Sequence, residues 1–434
     1  MTDGSLDSTF GTNGIVTTPI SVGTEFIADM IIQPDGKIVV GGRSYNSIAD
    51  KMSMALARYL PNGTLDTTFS GDGILVFNLN ATSNDMINAL AIQSDGKIVA
   101  AGSSSTSSLQ KAMLVRIMPN GILDNGFGTS AMVLTSNVQQ ITDIALQTDG
   151  KIVAVGNYNS YNLFAIRYHT DGTLDSSFGA NGIVETLTSP NISSFNTVAI
   201  QADGKILCGG NEKWKINTLF RYNTNGTLDS SFGTNGKVAI DLTYTGLPNA
   251  NLSDITLQPD GKILATGTMN NFATIASQIF ITRYNTNGTL DSSFMGNGTL
   301  LDNNYYSYAM CIELQTDGKI VIGGITAEKF GAARYFSGLS LNISNFSPQN
   351  NNISLYPNPI NAKAKLSYSL AMPELLSIEL VNQEGEKIHS FMENCPKNIG
   401  KYEETLSFPP NLAQGIYFIR LSTKNGTASI KITK

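Results

Sequence analysis

The sequence is short of the residues that most enzyme chemistry uses. Its 434 residues include two histidines, three cysteines and one tryptophan. The cysteines, Cys208, Cys311 and Cys395, cannot build a disulfide framework, and no C-x-x-C pair exists to hold zinc or to run redox exchange. Buried free thiols are expected instead. Charged residues make up only 14% of the chain, and the formal net charge is −6. Basic runs are absent, so the chain lacks the footprint that neutralising nucleic-acid phosphates demands. No apolar run reaches the roughly 18 residues of a membrane-spanning helix, and no transmembrane segment is expected. A signal peptide is missing too: Met1 leads directly into T-D-G-S-L-D-S-T-F, which is already repeat sequence.

Glycine is abundant, at 41 residues, and hydrophobic residues reach 41%. With many Thr, Ser and Asn, this composition suits short strands joined by tight turns, and the expected class is all-β. A domain usually holds ~100 to 200 residues, so the length predicts two or more packed units.

Self-similarity supplies the plan. Q-x-D-G-K recurs at Asp35, Asp95, Asp149, Asp203, Asp260 and Asp317, with successive spacings of 60, 54, 54, 57 and 57 residues. An apolar run ending in Gly follows each copy, then a variable stretch, then a segment ending in Arg58, Arg116, Arg167, Arg221, Arg283 or Arg334. After the first five of these comes a stretch close to N-G-T-L-D-S-S-F-G, whose Phe recurs at Phe69, Phe127, Phe178, Phe232 and Phe294, with Phe10 as an N-terminal copy. A short apolar segment completes the unit. Each unit thus predicts four strands in an antiparallel meander, with Asp-Gly and Asn-Gly turns that tolerate positive φ. Several segments are continuously apolar, as strands covered on both faces are.

The sixth unit ends after Arg334-Tyr335 without its fourth strand, while Asp3 to Ile20 match the turn and fourth strand of the other copies. This predicts a six-bladed β-propeller over residues 1–340, closed by the N-terminal strand so that no sheet edge stays exposed. The motifs L-D-x-x-F-G, Q-x-D-G-K-I and A-x-x-R-Y resemble the delta-60 repeat family of β-propellers. That resemblance implies the architecture and almost no biochemistry.

A polar stretch, N-I-S-N-F-S-P-Q-N-N-N, interrupts the pattern, and residues 341–352 read as a linker. Residues 353–434 alternate as a small Ig-like β-sandwich. They open on Y-P-N-P (Tyr356, Pro357, Asn358, Pro359) and carry G-I-Y-F-I-R-L (Gly415, Tyr417) near the end. Order, spacing and length resemble the C-terminal sorting domain of the type IX secretion system. The resemblance implies a Bacteroidetes-type protein handled by that machinery and either secreted or displayed on the outer membrane, an expectation that rests on the C-terminus alone.

Candidate chemistry is sparse. Propeller glycosidases and lyases need carboxylates converging on the channel, with hydrolytic pairs ~5 to 9 Å apart. Glu25, Glu185, Glu212, Glu313 and Glu328 fall at different repeat positions, so they form no symmetric set, although two could still meet. Most Asp residues sit in turns, where the side chain satisfies local N–H groups. His169 occupies a slot held elsewhere by Leu60, Met118, Asn223 and Asn285. No nucleophile elbow, zinc helix, phosphate loop or calcium loop appears. No catalytic residue, metal site or cofactor is therefore expected. The recurring Arg reads as a structural contact, paired with the Asp of L-D-x-x-F, and the Phe of that motif as a core plug.

The links from first to second and from third to fourth strand are nearly invariant, whereas those at the other end vary. Internal repetition marks what a scaffold needs, and divergence marks where function can be placed. The variable loops hold the candidate ligand-binding residues Tyr45, Tyr158, Tyr161, Trp214, Lys215, Phe272 and Phe330. Aromatic and amide groups suit a glycan or protein surface; packing on the blade tops explains them equally well. The leading expectation is a non-catalytic propeller binding a glycan or protein through this face. The alternatives are an extracellular polysaccharide-active hydrolase or lyase, and a structural component of the cell surface.

Overall fold

The computed structural model describes residues 6–48, 50–80, 82–106, 109–136, 138–158, 162–187, 193–212, 216–240, 242, 249–271, 276–302, 307–315, 317–326, 329–335, 354–370, 374–382, 387–423 and 426–434. These are strands and turns throughout, without a helix among the described residues. The chain divides into two compact units, Met1–Tyr335 and Phe336–Lys434. The linker expected at 341–352 lies outside the described residues.

The first unit contains five antiparallel sheets of four strands and one of three, each a meander in chain order. Their first strands are Thr24–Ile32, Asn84–Ile92, Gln140–Leu146, Ser193–Ile200, Asn249–Leu257 and Ser307–Leu314. Q-x-D-G-K makes the first hairpin of every sheet. In the first sheet Gly36 N–H donates to the Gln33 carbonyl, and Gly36 sits at φ +81°, where glycine meets no Cβ penalty. Asp35 Oδ1 accepts the Lys37 N–H, and Asp95, Asp149, Asp203, Asp260 and Asp317 repeat that bond.

Successive sheets stack through their faces, and consecutive first strands touch one another, which places those strands innermost. Strands between two neighbours are buried on both sides: Ile98, Val99, Ala100 and Ala101 are all fully buried. This is why the repeats read as continuous apolar runs rather than alternating ones.

A second clasp lies at the invariant turns. Nε of Arg58, Arg116, Arg167, Arg221 and Arg283 donates to Oδ2 of Asp66, Asp124, Asp175, Asp229 and Asp291 at 2.7–2.9 Å. Each guanidinium also covers the Phe ring of its own motif, 4.4–4.9 Å from the ring centre. In the first four sheets Nη1 reaches a carbonyl in the next sheet's turn, that of Pro119, Thr170, Thr224 or Thr286. Phe69, Phe127, Phe178 and Phe232 are fully buried and Phe294 nearly so. Burial alone would raise the Asp66 carboxyl, but the hydroxyl and N–H of Thr68 and the Arg58 charge outweigh it and hold it at about 2. The recurring Arg and Phe therefore link sheet to sheet.

The N-terminal segment sits where a preceding fourth strand would. Gly11 N–H donates to the Asn62 carbonyl, as Gly128 does to Asp171 and Gly179 to Asn225. Tyr59 and Thr18 bond through their hydroxyls at 2.7 Å, the counterpart of Thr135–Tyr168 and Thr186–Tyr222. Pairing of this segment with the sixth sheet, which a closed ring requires, is not formed among the described residues. Accordingly Ile27 and Met30 are 71% and 55% exposed, whereas the same positions in the other five sheets are 0–7% exposed. The expectation of three buried thiols also needs correction. Cys208 is buried, Cys395 is half-buried, and Cys311 is exposed, standing where the equivalent Thr197 reaches across to the following sheet.

The second unit is a sandwich of two antiparallel sheets. Ser354–Tyr356, Lys363–Leu370 and Gly400–Ser407 form one; Lys387–Lys397, Glu374–Val381, Ile416–Thr423 and Gly426–Thr433 form the other. Leu366, Leu376, Ile378, Leu380, Ile419, Leu421 and Ile432 fill the space between them, all fully buried. Alternation along each strand is the pattern such one-sided burial imposes.

Removing one partner of a buried ion pair strands the other. Arg167→Ala, which leaves Asp175 without its guanidinium, is expected to destabilise the first unit by about 3–5 kcal/mol. A fall in the denaturant midpoint checks this.

Candidate functional site

The axis of the first unit holds the carboxylates. Each innermost strand carries a β-bulge, at Ala28, Asn88, Thr142, Asn196, Ser253 and Met310. A bulge leaves its residue outside the ladder and re-aims the side chain. Here the side chain turns to the next sheet: Asn88 Nδ2 donates to the Ile141 carbonyl at 2.7 Å, Thr142 Oγ1 to Phe195 at 2.7 Å, Asn196 Nδ2 to Leu252 at 2.5 Å and Ser253 Oγ to Ala309 at 2.7 Å.

The residue after the bulge alternates between acidic and not: Asp29, Ala89, Asp143, Thr197, Asp254, Cys311. Each Asp holds two backbone N–H groups. Through Oδ1 it accepts from its own successor, Met30, Ile144 or Ile255, at 2.7–2.8 Å. Through Oδ2 it accepts from the following sheet, at Leu90, Val198 or Ile312, at 2.6–2.9 Å. Six N–H groups are thus served by three carboxylates, and the sheets are tied in pairs: first to second, third to fourth, fifth to sixth. Thr197 Oγ1, donating to Asp254 Oδ1 at 2.8 Å, joins the second pair to the third.

Packing among sheets costs these carboxylates their water. Burial pushes Asp143 up to about 8; its two N–H donors pull the other way, and the charges of Asp254 and Asp29 add to the rise. Asp29 and Asp254 are raised mainly by burial. Glu313 is raised by partial burial and then by the Asp254 charge. Their mutual influence puts these groups in one electrostatic neighbourhood. A carboxyl that keeps its proton near neutrality has the property a general acid needs. The same geometry uses both oxygens of each Asp to hold backbone.

The loop candidates are dispersed in what the structure describes. Tyr45 donates its hydroxyl to Asp50 Oδ1 at 2.7 Å, a contact within its own hairpin. Tyr158 and Phe330 lie on strands, Ile152–Tyr158 and Lys329–Tyr335. Tyr161, Trp214, Lys215 and Phe272 lie outside the described residues. Of the glutamates, Glu25 accepts the Ser21 N–H at 2.8 Å and closes a local turn. His169 Nε2 stands 3.8 Å from Asp175 Oδ1, beside the Arg167 clasp. Among the described residues no group of three or more His, Cys, Asp or Glu is placed to hold a metal ion.

Sequence reasoning missed the axial Asp set, although a signal was present. I-A-D-M, I-T-D-I and L-S-D-I recur in alternate repeats, 114 and 111 residues apart, between I-N-A-L, F-N-T-V and A-M-C-I. A search for features shared by every copy passes over a feature with twice the period.

In the second unit the Y-P-N-P motif is stitched to the last strand. Asn358 Nδ2 donates to the Lys431 carbonyl, and Asn358 Oδ1 accepts the Thr433 N–H, both at 3.0 Å. Gly415 and Lys434 exchange backbone bonds at 3.0–3.1 Å. Tyr417 donates its hydroxyl to the Ala413 carbonyl at 3.2 Å. Tyr356 is 79% exposed, and Pro357 and Pro359 follow cis peptide bonds.

Residues 33–69, 93–127, 147–178, 201–232 and 258–294 match the family described as a domain of unknown function (DUF5122) beta-propeller. Residues 354–434 match the secretion system C-terminal sorting domain. The chain thus carries DUF5122 β-propeller repeats followed by a type IX sorting tail, which marks it for export to the cell surface or for secretion. No helix among the described residues is long and apolar enough to cross a membrane. No curated protein matches the chain.

Among solved structures the chain is similar to PorZ of Porphyromonas gingivalis, described as an essential bacterial surface component of the type-IX secretion system. The identity is 12% over 94% of this chain, at a TM-score of 0.40, and the match spans about half, 51%, of the PorZ chain. It is also similar to the polysaccharide lyase Uly1, at 10% identity over 88% of this chain and 89% of that one, TM-score 0.39. The β-propeller domain of the Trilobed protease from Pyrococcus furiosus, reported with an open velcro topology, gives 10% identity over 80% and 90%, TM-score 0.40. Likeness at this level carries no argument about activity.

The axial carboxyls make stability depend on pH. An unfolded Asp titrates near 3.9, whereas folded Asp143 titrates at about 8. Between those values the folded chain binds more protons than the unfolded one, so stability falls as pH rises from ~4 to ~8. Thermal melts at pH 5 and pH 8 are expected to show the lower midpoint at pH 8. Asp143→Asn, which removes the titration, is expected to flatten that dependence.

Proposed function

We propose that this chain is an exported, non-catalytic propeller that binds a glycan or a protein through the variable loops joining second to third strands. Residues 1–340 would carry the binding, residues 353–434 would present the chain to the type IX secretion machinery, and 341–352 would link them. The observation that supports this reading most is the employment of the charged groups. Asp29, Asp143 and Asp254 each hold two backbone N–H groups. The recurring Arg–Asp pairs clasp turns. These carboxyls already have structural tasks, whereas Tyr161, Trp214, Lys215 and Phe272 belong to links that no repeat rule constrains, and Tyr45, Tyr158 and Phe330 stand on the strands that flank those links.

One observation favours a second reading, a polysaccharide-active hydrolase or lyase. Burial, with the charge of Asp254 adding to it, lets Asp143 keep its proton up to about 8, and a carboxyl held neutral near pH 7 is what a general acid requires.

Calorimetric titration of the full chain with a panel of soluble plant, algal and bacterial polysaccharides tests both. The proposal expects saturable heat that disappears on Trp214→Ala, with the polysaccharide recovered intact. Release of shorter products by the native chain and not by Asp143→Asn would overturn it in favour of the enzyme.

A further inference from the structure

Three equivalent grooves lie between consecutive sheets at the invariant turns. Their volumes are about 480 Å³ between the first and second sheets, 680 Å³ between the second and third, and 470 Å³ between the third and fourth, the range of small-molecule sites. Each is built from the same parts. One sheet gives its Q-x-D-G-K turn and its recurring Arg; the next gives the end of its first strand and its third-to-fourth turn.

Most of what recurs here has a structural task. The turn Asp holds the Lys N–H, and the Lys ammonium stands 3.1–3.8 Å from the Asp that the Arg clasps. The Gln is the exception. It recurs in all six copies, as Gln33, Gln93, Gln147, Gln201, Gln258 and Gln315, while the turn is closed by its backbone alone. The side chains of Gln33, Gln201 and Gln258 make no hydrogen bond among the described residues, and Oε1 of each is buried. Gln93 and Gln147 accept from Arg116 and Arg167 only at 3.5 Å, the outer limit of such a bond. A turn held by backbone bonds does not require an amide side chain. A partner outside the chain accounts for six glutamines that the fold alone does not.

The lining narrows the chemistry of that partner. In the first groove Lys37 stands 3.1 and 3.4 Å from Asp35 and Asp66, and Arg58 2.9 Å from Asp66. With the cations matched by carboxylates, the groove has no surplus charge for a phosphate or carboxylate ligand. The half-exposed turn Asp at each rim offers acceptors, and Ile92, Leu146 or Ile200, half-buried, forms an apolar wall. Donors and acceptors beside an apolar wall match a sugar ring, with its hydroxyl edge and its face of C–H bonds.

We propose that these grooves are saccharide subsites, each taking one neutral hexopyranose unit, with the motif Gln amide bonded to a ring hydroxyl and the strand-end Ile or Leu against the C–H face. They are separate from the variable loops. A glycan that fills two or more of them is held by several weak contacts at once.

The test follows the side-chain amide signals of Gln33 and Gln201 by NMR, in the full chain, during titration with methyl glucoside, methyl galactoside and methyl mannoside. Both signals are expected to shift saturably with at least one of the three. Trp214→Ala, which probes the variable loops, is expected to leave those shifts unchanged, so the two sites stand or fall separately. Gln201→Met replaces the amide by an apolar side chain of similar length. Affinity read at the Thr148 amide of the same groove is expected to fall about fivefold, the equivalent of one net hydrogen bond. The melting midpoint is expected to hold or rise, because a buried amide without a partner costs stability. Either signal unmoved by all three sugars would overturn the proposal. A lower melting midpoint for Gln33→Met and Gln201→Met would also overturn it, by showing the amide to be a structural group. Tighter binding of glucuronate than of methyl glucoside would contradict the neutral ligand.

Discussion

Where two sheets of a propeller meet at the axis, their innermost strands face each other with backbone groups that no ladder satisfies, and everything else in the first unit is arranged around meeting that demand. A buried N–H without a partner costs about as much as a lost hydrogen bond, and often more. The chain answers with a bulge in every innermost strand and, in the first five, a polar side chain at or beside it. Three aspartates then serve six N–H groups. The cost appears as raised carboxyl pKa values, since water that would have stabilised the charge is displaced by neighbouring sheets.

This arrangement separates two roles that a pKa shift alone does not distinguish. Perturbed carboxyls in a central space attract a catalytic interpretation, yet structural networks perturb them as well. Here the hydrogen-bond inventory favours structure, because both oxygens of each Asp are engaged by backbone. The opposite end of the sheets solves its own problem differently, with Arg and Asp in a buried pair over a Phe ring. Those Asp residues are lowered where the axial ones are raised. Sign of shift thus follows a balance: at the turns the Ser or Thr donors and the guanidinium outweigh burial, whereas at the axis burial, with the charge of other carboxylates, outweighs the amide donors.

Much of the fold was legible because the repeat is written in turns. Gly36 and its counterparts need positive φ, the turn Asp needs a local N–H, and the Phe of L-D-x-x-F needs a pocket; each requirement recurs in nearly every copy and so stands out. The axial set was not legible by the same route. Asp29, Asp143 and Asp254 appear in alternate copies, and in the others the N–H is served from the preceding sheet, so no residue type recurs at the spacing of the repeat. Exposure at Ile27 and Met30 was equally hidden, since both read as ordinary members of an apolar strand. The loop aromatics gave no more than a location, because nothing in the repeat dictates where Trp214 or Phe272 must point.

The most direct test of this account is residue-resolved amide hydrogen exchange on the native chain and on Asp143→Asn. If the axial carboxylates hold sheets together in pairs, the substitution accelerates exchange at Ile144 and Val198, the two amides that Asp143 serves, and leaves Leu90 and Ile312 protected by Asp29 and Asp254. Unaltered exchange at Ile144 and Val198 would contradict the structural assignment and return Asp143 to the list of groups free to do chemistry.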